Sequence, residues 1–318
     1  MTAVQRLVVD ESGAGQRLDN WLLRRLKGVP KSHVYRVIRC GEVRVNRARA
    51  SADSRLEHGD EVRIPPLRLA KAFDAAPLPP PREFALLFED DHLLAIDKPA
   101  GVAVHGGSGV AFGVIEQLRS ARPQARFLEL VHRLDKETSG ILLLAKRRSA
   151  LTALQDQFRS RDTGKTYAAL VIGQWPAAQR VIDVALQKTV DASGERHVRP
   201  VPAGDPAGRH AVTLARIARA YTAHTLLDVT IKTGRTHQIR VHLAQAGHPI
   251  LGDPKYGDFA ANRAAARGEG LAGLRFARMF LHASRLAFDH PVSGMRIELR
   301  SPLPPPCDAL LTRLAAAR

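Results

Sequence analysis

The first seventy residues carry two helical patterns of apolar positions followed by two strand-like ones. Apolar residues spaced three and four apart from 18 to 26 predict one amphipathic helix. A second set at 34, 37 and 38 predicts another helix, with Ser32 as its N-cap and Gly41 at its end. Alternating residues at 43–46 and 61–64 predict two short strands. The pattern therefore indicates a small α/β module.

The rest of the chain has longer strand-like runs between fewer helices. Such runs at 93–97, 140–146, 165–173 and 226–232 predict strands, and the apolar spacing at 149–160 predicts a helix. A shorter helix is expected from Thr236, as its cap, to Gly247. The Ala-, Gly- and Arg-rich segment 258–274 is expected to be a variable surface loop. These elements predict an α+β fold.

Prolines divide the chain into two parts. Four prolines between 77 and 81 disfavour both helix and central strand, so residues 76–83 are expected to be a linker. The domains predicted on either side are 15–75 and 84–318. A chain of 318 residues is long enough for about two domains.

The composition indicates in which compartment the protein acts and what class of partner it binds. No apolar run approaches the roughly 18 residues of a membrane span, and Asp10 and Glu11 interrupt any secretory signal, so a cytoplasmic protein without membrane contact is expected. The only cysteines, Cys40 and Cys307, are too far apart in sequence to indicate a disulfide framework or a zinc cluster. Lys and Arg number 48 against 31 Asp and Glu, a net charge of +17, which favours a nucleic-acid partner.

Positive charge is densest in the first part of the chain, where residues 1–71 hold 15 Lys and Arg against 8 Asp and Glu. Six cations lie within nineteen residues that contain one acid, Glu42, and they are predicted to bind RNA phosphates: Lys31, Arg36, Arg39, Arg44, Arg47 and Arg49. This part resembles the S4 RNA-binding domain. The resemblance rests on these segments: Gln16-Arg17-Leu18-Asp19, Pro30-Lys31-Ser32, Gly41-Glu42-Val43-Arg44-Val45-Asn46 and Gly59-Asp60-Glu61-Val62.

The second part contains three short polar segments, here called islands, and the first two adjoin predicted strands. The first, with the glycine-rich run 105–109 after Pro99, fits neither the P-loop nor the dinucleotide fingerprint, so no nucleotide cofactor is expected. The second places Asp135 beside His132 and Arg133. Cations at this distance would keep a carboxylate ionised as a nucleophile or base, although an aspartate that caps a turn explains the same residues.

The third island places cations where a helix dipole disfavours them. Arg235, His237 and Arg240 lie at the start of the predicted helix, so an anion, either a carboxylate or a phosphate, is expected opposite them. His237 and His242 are five residues apart, which does not place both on one helix face, so no metal site is predicted.

Together the islands resemble the signatures of the RluA-type RNA pseudouridine synthases. The segments that carry the resemblance are Asp91-His92, Asp97-Lys98-Pro99-Ala100-Gly101, His132-Arg133-Leu134-Asp135, Lys165-Thr166-Tyr167 and Gly234 to Leu243. The resemblance runs from about residue 84 to the end. It implies a catalytic domain with a mixed, largely antiparallel sheet flanked by helices, following the small S4-like module. It also implies isomerisation of uridine without metal or cofactor.

The resemblance also implies roles for individual residues. Asp135 would be the essential carboxylate, Arg240 its partner, and Tyr167 the residue that stacks on the target base. The implied substrate pocket also includes His132, Arg133, Arg235 and Ile239, with Arg133 entering the space that a flipped uridine leaves. Whether Asp135 attacks the base, attacks the ribose or abstracts a ribose proton stays open.

The implied substrate is a set of uridines in large-subunit ribosomal RNA. The enzyme is expected to be a monomer with no obligate protein partner. Two alternatives stay open at this point. One is the same reaction at other large-subunit or transfer RNA sites. The other is a non-catalytic, ribosome-associated binding factor of the S4 type, which the net charge favours equally.

Overall fold

A computed structural model describes residues 4–11, 13–26, 28–67, 78–107, 110–190, 196–271 and 273–317. The chain forms two compact units, Met1–Pro80 and Pro81–Arg318. Part of the predicted linker, residues 76 and 77, and part of the glycine-rich run, residues 108 and 109, lie outside the described residues. No helix in the described ranges is long and apolar enough to span a bilayer.

The N-terminal unit packs two helices on a four-stranded antiparallel sheet. Its elements are β1 (Gln5–Val8), α1 (Leu18–Arg25), α2 (Lys31–Arg39), β2 (Arg44–Val45), β3 (Ala48–Arg49) and β4 (Glu61–Ile64), with strand order β1-β4-β2-β3. The apolar stripe of each helix is buried, and Trp21 lies at the centre of the core. The helix α2 begins directly after Pro30, not after Ser32. Proline fixes φ and leaves no N–H to satisfy, so it stands at a helix start.

The C-terminal unit is built on one large sheet that has ten strands in the described ranges. In chain order its elements are β5 (Leu86–Glu89), β6 (Leu93–Lys98), α3 (Val114–Ala121), β7 (Glu129–Leu130), β8 (Ser139–Ala145), α4 (Arg148–Ser160), β9 (Gly164–Ile172), β10 (Val181–Asp183), β11 (Ala185–Val190), β12 (Arg196–Val201), β13 (Val212–Ala220), β14 (His224–Ile231), α5 (Gln238–Gln245), α6 (Phe259–Arg267), β15 (Leu281–Asp289), β16 (Arg296–Arg300) and α7 (Pro305–Ala316).

The sheet is mixed and largely antiparallel, which confirms the predicted fold class. Its order is β10-β13-β14-β9-β15-β8-β6-β5, with β16 paired to β15 and β7 to β8, while β11 and β12 form a separate hairpin. Strands β8 and β15 pair in parallel, and the other pairs of the large sheet in the described ranges are antiparallel. Every residue of β8 is buried, because apolar clusters cover both of its faces.

Two helices of the C-terminal unit, α5 and α6, also differ from the sequence-based expectations. The helix α5 begins at Gln238 and is capped by His237 in the left-handed conformation, not by Thr236. The segment 258–274, expected to be a surface loop, contains α6. The Asp258 carboxylate accepts the N–H groups of Ala260 and Ala261, both at 2.9 Å, and Gly268 ends the helix with φ of 90°. The alanine-rich composition is that of a strong helix former, and the loop prediction gave it too little weight.

Candidate active site

A cleft of about 120 Å³ opens where three segments meet: the loop before β8, strand β9 and the start of α5. Its lining combines one carboxylate with cations and apolar side chains. These residues line it: Arg133, Leu134, Asp135, Thr138, Tyr167, Ile231, Gly234, Arg235, Thr236, His237, Gln238, Ile239, Arg240 and Leu281. All but one of the predicted catalytic and pocket residues are therefore brought together.

The Asp135 carboxylate is held by a buried arginine. Arg240 Nη1 donates to Asp135 Oδ2 at 3.2 Å, which confirms the contact expected between these two residues. The Asp135 side chain is 21% exposed, whereas that of Arg240 is 6% exposed. The anion thus reaches the cleft, while its cationic partner is almost sealed from water.

Arg240 is itself fixed by a second carboxylate, Asp253. Its Nε and Nη2 donate to the two Asp253 oxygens, each at 2.7 Å, in a bidentate pair. Asp253 Oδ1 also accepts the backbone N–H groups of Lys255 at 2.8 Å and Tyr256 at 3.0 Å. Asp253 is fully buried, so these donors compensate its charge in place of water.

The pKa values of Arg240 and Asp253 each result from burial and from charge pairing, which act in opposite directions. Burial lowers the pKa of Arg240, but hydrogen bonds and attraction from Asp253 and Asp135 outweigh burial and hold it above its ordinary value. Burial raises the pKa of Asp253, but the hydrogen bonds from Arg240 outweigh it and hold that pKa below the ordinary value. Both groups are therefore charged at neutral pH.

His237 closes one side of the cleft in a strained conformation. Its φ of 52° is left-handed, which costs a non-glycine residue about 1–3 kcal/mol. Its Nδ1 pairs with the Tyr256 hydroxyl at 2.8 Å, and its Nε2 lies 3.9 Å from Asp135 Oδ2. Burial lowers the pKa of His237, although the Asp135 charge opposes this effect.

Tyr167, Ile231, Ile239 and Leu281 form an apolar wall opposite the charges. Tyr167 is 8% exposed and belongs to the main core cluster. Burial, with a smaller effect of the Asp135 charge, raises the pKa of its phenol above the ordinary value. The tyrosine is therefore a neutral phenol at physiological pH, with its ring available for an uncharged planar ligand.

A buried lysine, Lys98, holds the loop that carries Asp135. Lys98 Nζ donates to the carbonyl oxygens of Pro99 at 2.9 Å, Val102 at 2.8 Å and Lys136 at 3.1 Å. Burial lowers the pKa of Lys98 to about 7. These three acceptors match the three donors of an ammonium group, and they tie the strand β6 to the residue that follows Asp135.

His132 is the predicted pocket residue that does not line the cleft. Its Nε2 accepts the Leu143 N–H at 3.1 Å, and its ring stacks on Phe158 with centroids 4.8 Å apart. Burial lowers its pKa to about 3, so it is a neutral acceptor that fixes the loop against β8. This corrects the sequence-based placement, because proximity in sequence to Asp135 does not determine which way the imidazole points.

Sequence reasoning missed Asp253, Tyr256 and Asn262. Asn262, on α6, accepts the Gly252 N–H at 2.7 Å and donates to the Asp253 carbonyl at 2.8 Å, so α6 holds the loop that bears Asp253. One signal was present. A cation at the start of a helix requires an anion, and Asp253 lies two residues after the apolar pair 250–251, which predicts burial.

In the N-terminal unit, five of the six predicted RNA-binding residues are exposed and Arg44 is half-buried. Lys31, Arg36 and Arg39 lie on α2, whereas Arg47 occupies the turn before β3 with φ of 66°. Arg36 Nη1 lies 3.6 Å from Glu42. Their exposure leaves these cations accessible to a polyanion.

The fold and the clamped carboxylate agree with the resemblance found in the sequence. The pattern of the RNA pseudouridylate synthase family matches residues 92–245, and that of the S4 domain matches residues 16–62. The chain belongs to the RNA pseudouridylate synthase family, and it is an enzyme that converts uridine in RNA to pseudouridine.

Particular relatives are similar over nearly the whole chain. Ribosomal large subunit pseudouridine synthase C of Escherichia coli K12 is 46% identical, covering 99% of this chain and 98% of that protein. The protein of the same name from Haemophilus influenzae is 47% identical, covering 100% and 97%. Among solved structures, human RNA pseudouridylate synthase domain containing 4 is 28% identical with a TM-score of 0.59, covering 73% of this chain and 93% of that one.

Asp253→Asn is expected to destabilise the C-terminal unit by about 3–5 kcal/mol, because one carboxylate acceptor is lost and the Arg240 charge stays buried. Thermal unfolding measures the effect. Asp289→Asn is the matched control, since Asp289 pairs with Arg296 at 3.0 Å where both side chains are nearly half exposed, and it should cost less than about 1 kcal/mol. Equal effects of the two variants would contradict a stabilising role for the clamp.

His132 should make the protein sensitive to acid. Its pKa is about 3 when folded and near 6.5 when unfolded, so below pH 6.5 the unfolded chain binds the proton first. The free energy of unfolding should then fall by up to about 1.4 kcal/mol per pH unit as pH decreases from 6.5 toward 3. In His132→Gln, whose amide oxygen can accept the same N–H, urea titrations should show a shallower fall. An unchanged pH slope would show that His132 is not responsible.

Proposed function

We propose that this enzyme isomerises specific uridines of large-subunit ribosomal RNA to pseudouridine, with Asp135 as the essential carboxylate. The observation that carries the proposed site is the contact between the partly exposed Asp135 and Arg240, which Asp253 holds in place. The choice of RNA is supported by the relatives at 46–48% identity, whose names specify the large ribosomal subunit. We therefore propose that the enzyme acts in the compartment where ribosomes are found.

The reaction breaks the C1′–N1 bond, turns the uracil and joins C1′ to C5. The proton at C5 is lost and N1 gains one, so the reaction needs neither an oxidant nor an energy source. Asp135 must be an anion whether it attacks the base, attacks the ribose or removes a ribose proton. Arg240 keeps that anion in place and lowers its mobility, because its own orientation is fixed by two bonds to Asp253.

The cleft suits a base that has left its stack. The scissile bond and C5 cannot both be reached inside a helix, so the uridine must turn out into the cleft. Tyr167 and Ile239 then offer apolar surfaces to the uracil ring, and exposed Arg133 lies at the rim, where it can fill the vacated space. Arg235 at the same rim faces the phosphate backbone. Since one chain supplies every one of these residues, we propose that it acts as a monomer.

The substrate is tested by mapping pseudouridine in ribosomal and transfer RNA from cells with and without the gene. The expected result is loss of pseudouridine at a small set of large-subunit positions, restored by the wild-type gene. Loss confined to transfer RNA would overturn the substrate proposal and leave the enzyme class intact.

Asp135→Asn should abolish pseudouridine formation, by at least about a thousandfold in kcat, and leave RNA affinity nearly unchanged. The amide has the same shape but is neither nucleophile nor base. Single-turnover assays with a ribosomal RNA fragment measure the first effect and filter binding the second. Measurable turnover in the purified variant would remove Asp135 from the proposed role.

The N-terminal unit should contribute phosphate contacts and no chemistry. In the full chain, Arg39→Gln with Arg47→Gln should reduce the slope of log affinity against log salt by about 1.4–1.8 and raise KM. Turnover at saturating RNA should stay the same. Arg6→Gln is the control, because Arg6 pairs with Glu61 at 3.4 Å on another part of the unit. A salt slope equal to that of the control would contradict RNA binding by these arginines.

A further inference from the structure

A second groove opens directly off the catalytic cleft and encloses about 490 Å³. The two share part of their lining, namely Arg133, Tyr167, Ile231, Gly234 and Arg235. The remaining residues define what is here named the flanking groove: Val131, His132, Phe158, Arg159, Arg161, Lys165, Lys232 and Thr233.

Sheet topology explains why cations meet in the flanking groove. Strands β9 and β14 are antiparallel neighbours, with Thr166 opposite Thr230 and Tyr167 opposite Val229. The segment before β9 and the segment after β14 therefore lie at the same end of these two strands. Arg161 precedes β9, Lys165 is the second residue of β9 and Lys232 follows β14, so separate parts of the chain place positive charge in one groove.

Most cations of the flanking groove have no carboxylate partner in the described ranges. Among the described residues, the side chains of Arg133, Arg161, Lys165 and Lys232 form no ion pair, and only Arg159 of this groove has one, with Asp156. Some exposed arginines on other surfaces do pair with carboxylates, as Arg216 does with Asp228 and Arg267 with Glu269. No Asp or Glu lines the groove, so its charge is uncompensated.

The Lys165 ammonium is partly buried and has no carboxylate beside it to balance its charge in the described ranges. It lies 4.9 Å from the centre of the Phe158 ring, in a half-buried position. Burial lowers the pKa of Lys165 below its ordinary value, and no carboxylate counteracts that effect. A bound anion would remove this cost by supplying the missing negative charge.

We infer that the flanking groove binds the phosphate backbone of the RNA strand next to the flipped uridine. Several cations from separate segments of the chain line this one groove, which suits consecutive phosphates better than a single anion. The groove is continuous with the cleft, so a strand whose uridine enters the cleft must pass its neighbouring nucleotides along it. This inference deepens the proposed function and rests on it.

The test uses the full chain with Arg161→Gln and Lys232→Gln together. A matched control removes two exposed arginines that line neither cavity and form no ion pair in the described ranges, Arg126→Gln with Arg313→Gln. Affinity for a short fluorescent single-stranded RNA is measured across a range of KCl concentrations. The groove variant should lose about 1.4 from the slope of log affinity against log salt, and the control should lose none.

Turnover on a large-subunit ribosomal RNA transcript separates this inference from the proposed function. The groove variant should show a raised KM with kcat within about twofold of wild type. A salt slope equal to that of the control, or a loss of kcat without a change in the slope, would overturn the groove inference. If the wild-type enzyme fails to modify the transcript, the substrate proposal fails, while the salt slope still decides whether the groove binds RNA.

Replacing single phosphates of the RNA by neutral methylphosphonates gives a second, independent readout. At the phosphates that the groove binds, replacement should weaken binding to the wild type and to the control, but not further to the groove variant, because the contact is already lost. Additive losses at every phosphate would overturn the inference.

Discussion

The candidate active site depends on one buried cation, Arg240, which binds two carboxylates, Asp135 and Asp253. Arg240 is removed from water, and a buried guanidinium is stable only when its donors are satisfied and its charge is balanced. Asp253 meets that requirement with two short bonds, which leaves Nη1 directed at Asp135. Because Asp253 takes two of the three bonds, the arginine orients Asp135 without closing it off from the cleft.

Several local features follow from this constraint. The N-terminus of α5 carries cations against its own dipole because Asp135 and Asp253 lie opposite it. The left-handed His237 turns the chain sharply before α5, and its hydrogen bond to Tyr256 ties that turn to the Asp253 loop. The helix α6 contributes at a distance, since Asn262 fixes the backbone on both sides of the Gly252–Asp253 peptide. A segment that was expected to be a loop thus supports the geometry of the site.

The sequence predicted the elements with regular periodicity and the residues with a recognisable motif. Strands with continuous apolar runs, such as β8, and amphipathic helices, such as α1, were found where the patterns placed them. Asp253 was missed because its partner is thirteen residues away and across a loop, where no periodicity connects them. His132 was misplaced because a side chain's direction depends on the tertiary environment, here the Leu143 N–H and the Phe158 ring.

The protonation states of the cleft restrict how a proton can be moved. Arg240 is bound by two carboxylates that raise its pKa, so it cannot act as an acid at neutral pH. Tyr167 is a neutral phenol whose ionisation burial disfavours, so it can accept a proton only if it passes its own on at the same time. Asp135 is the one carboxylate that lines the cleft in the described chain. Its contact with Arg240 holds the carboxylate in position, and its partial exposure lets it reach the reacting uridine.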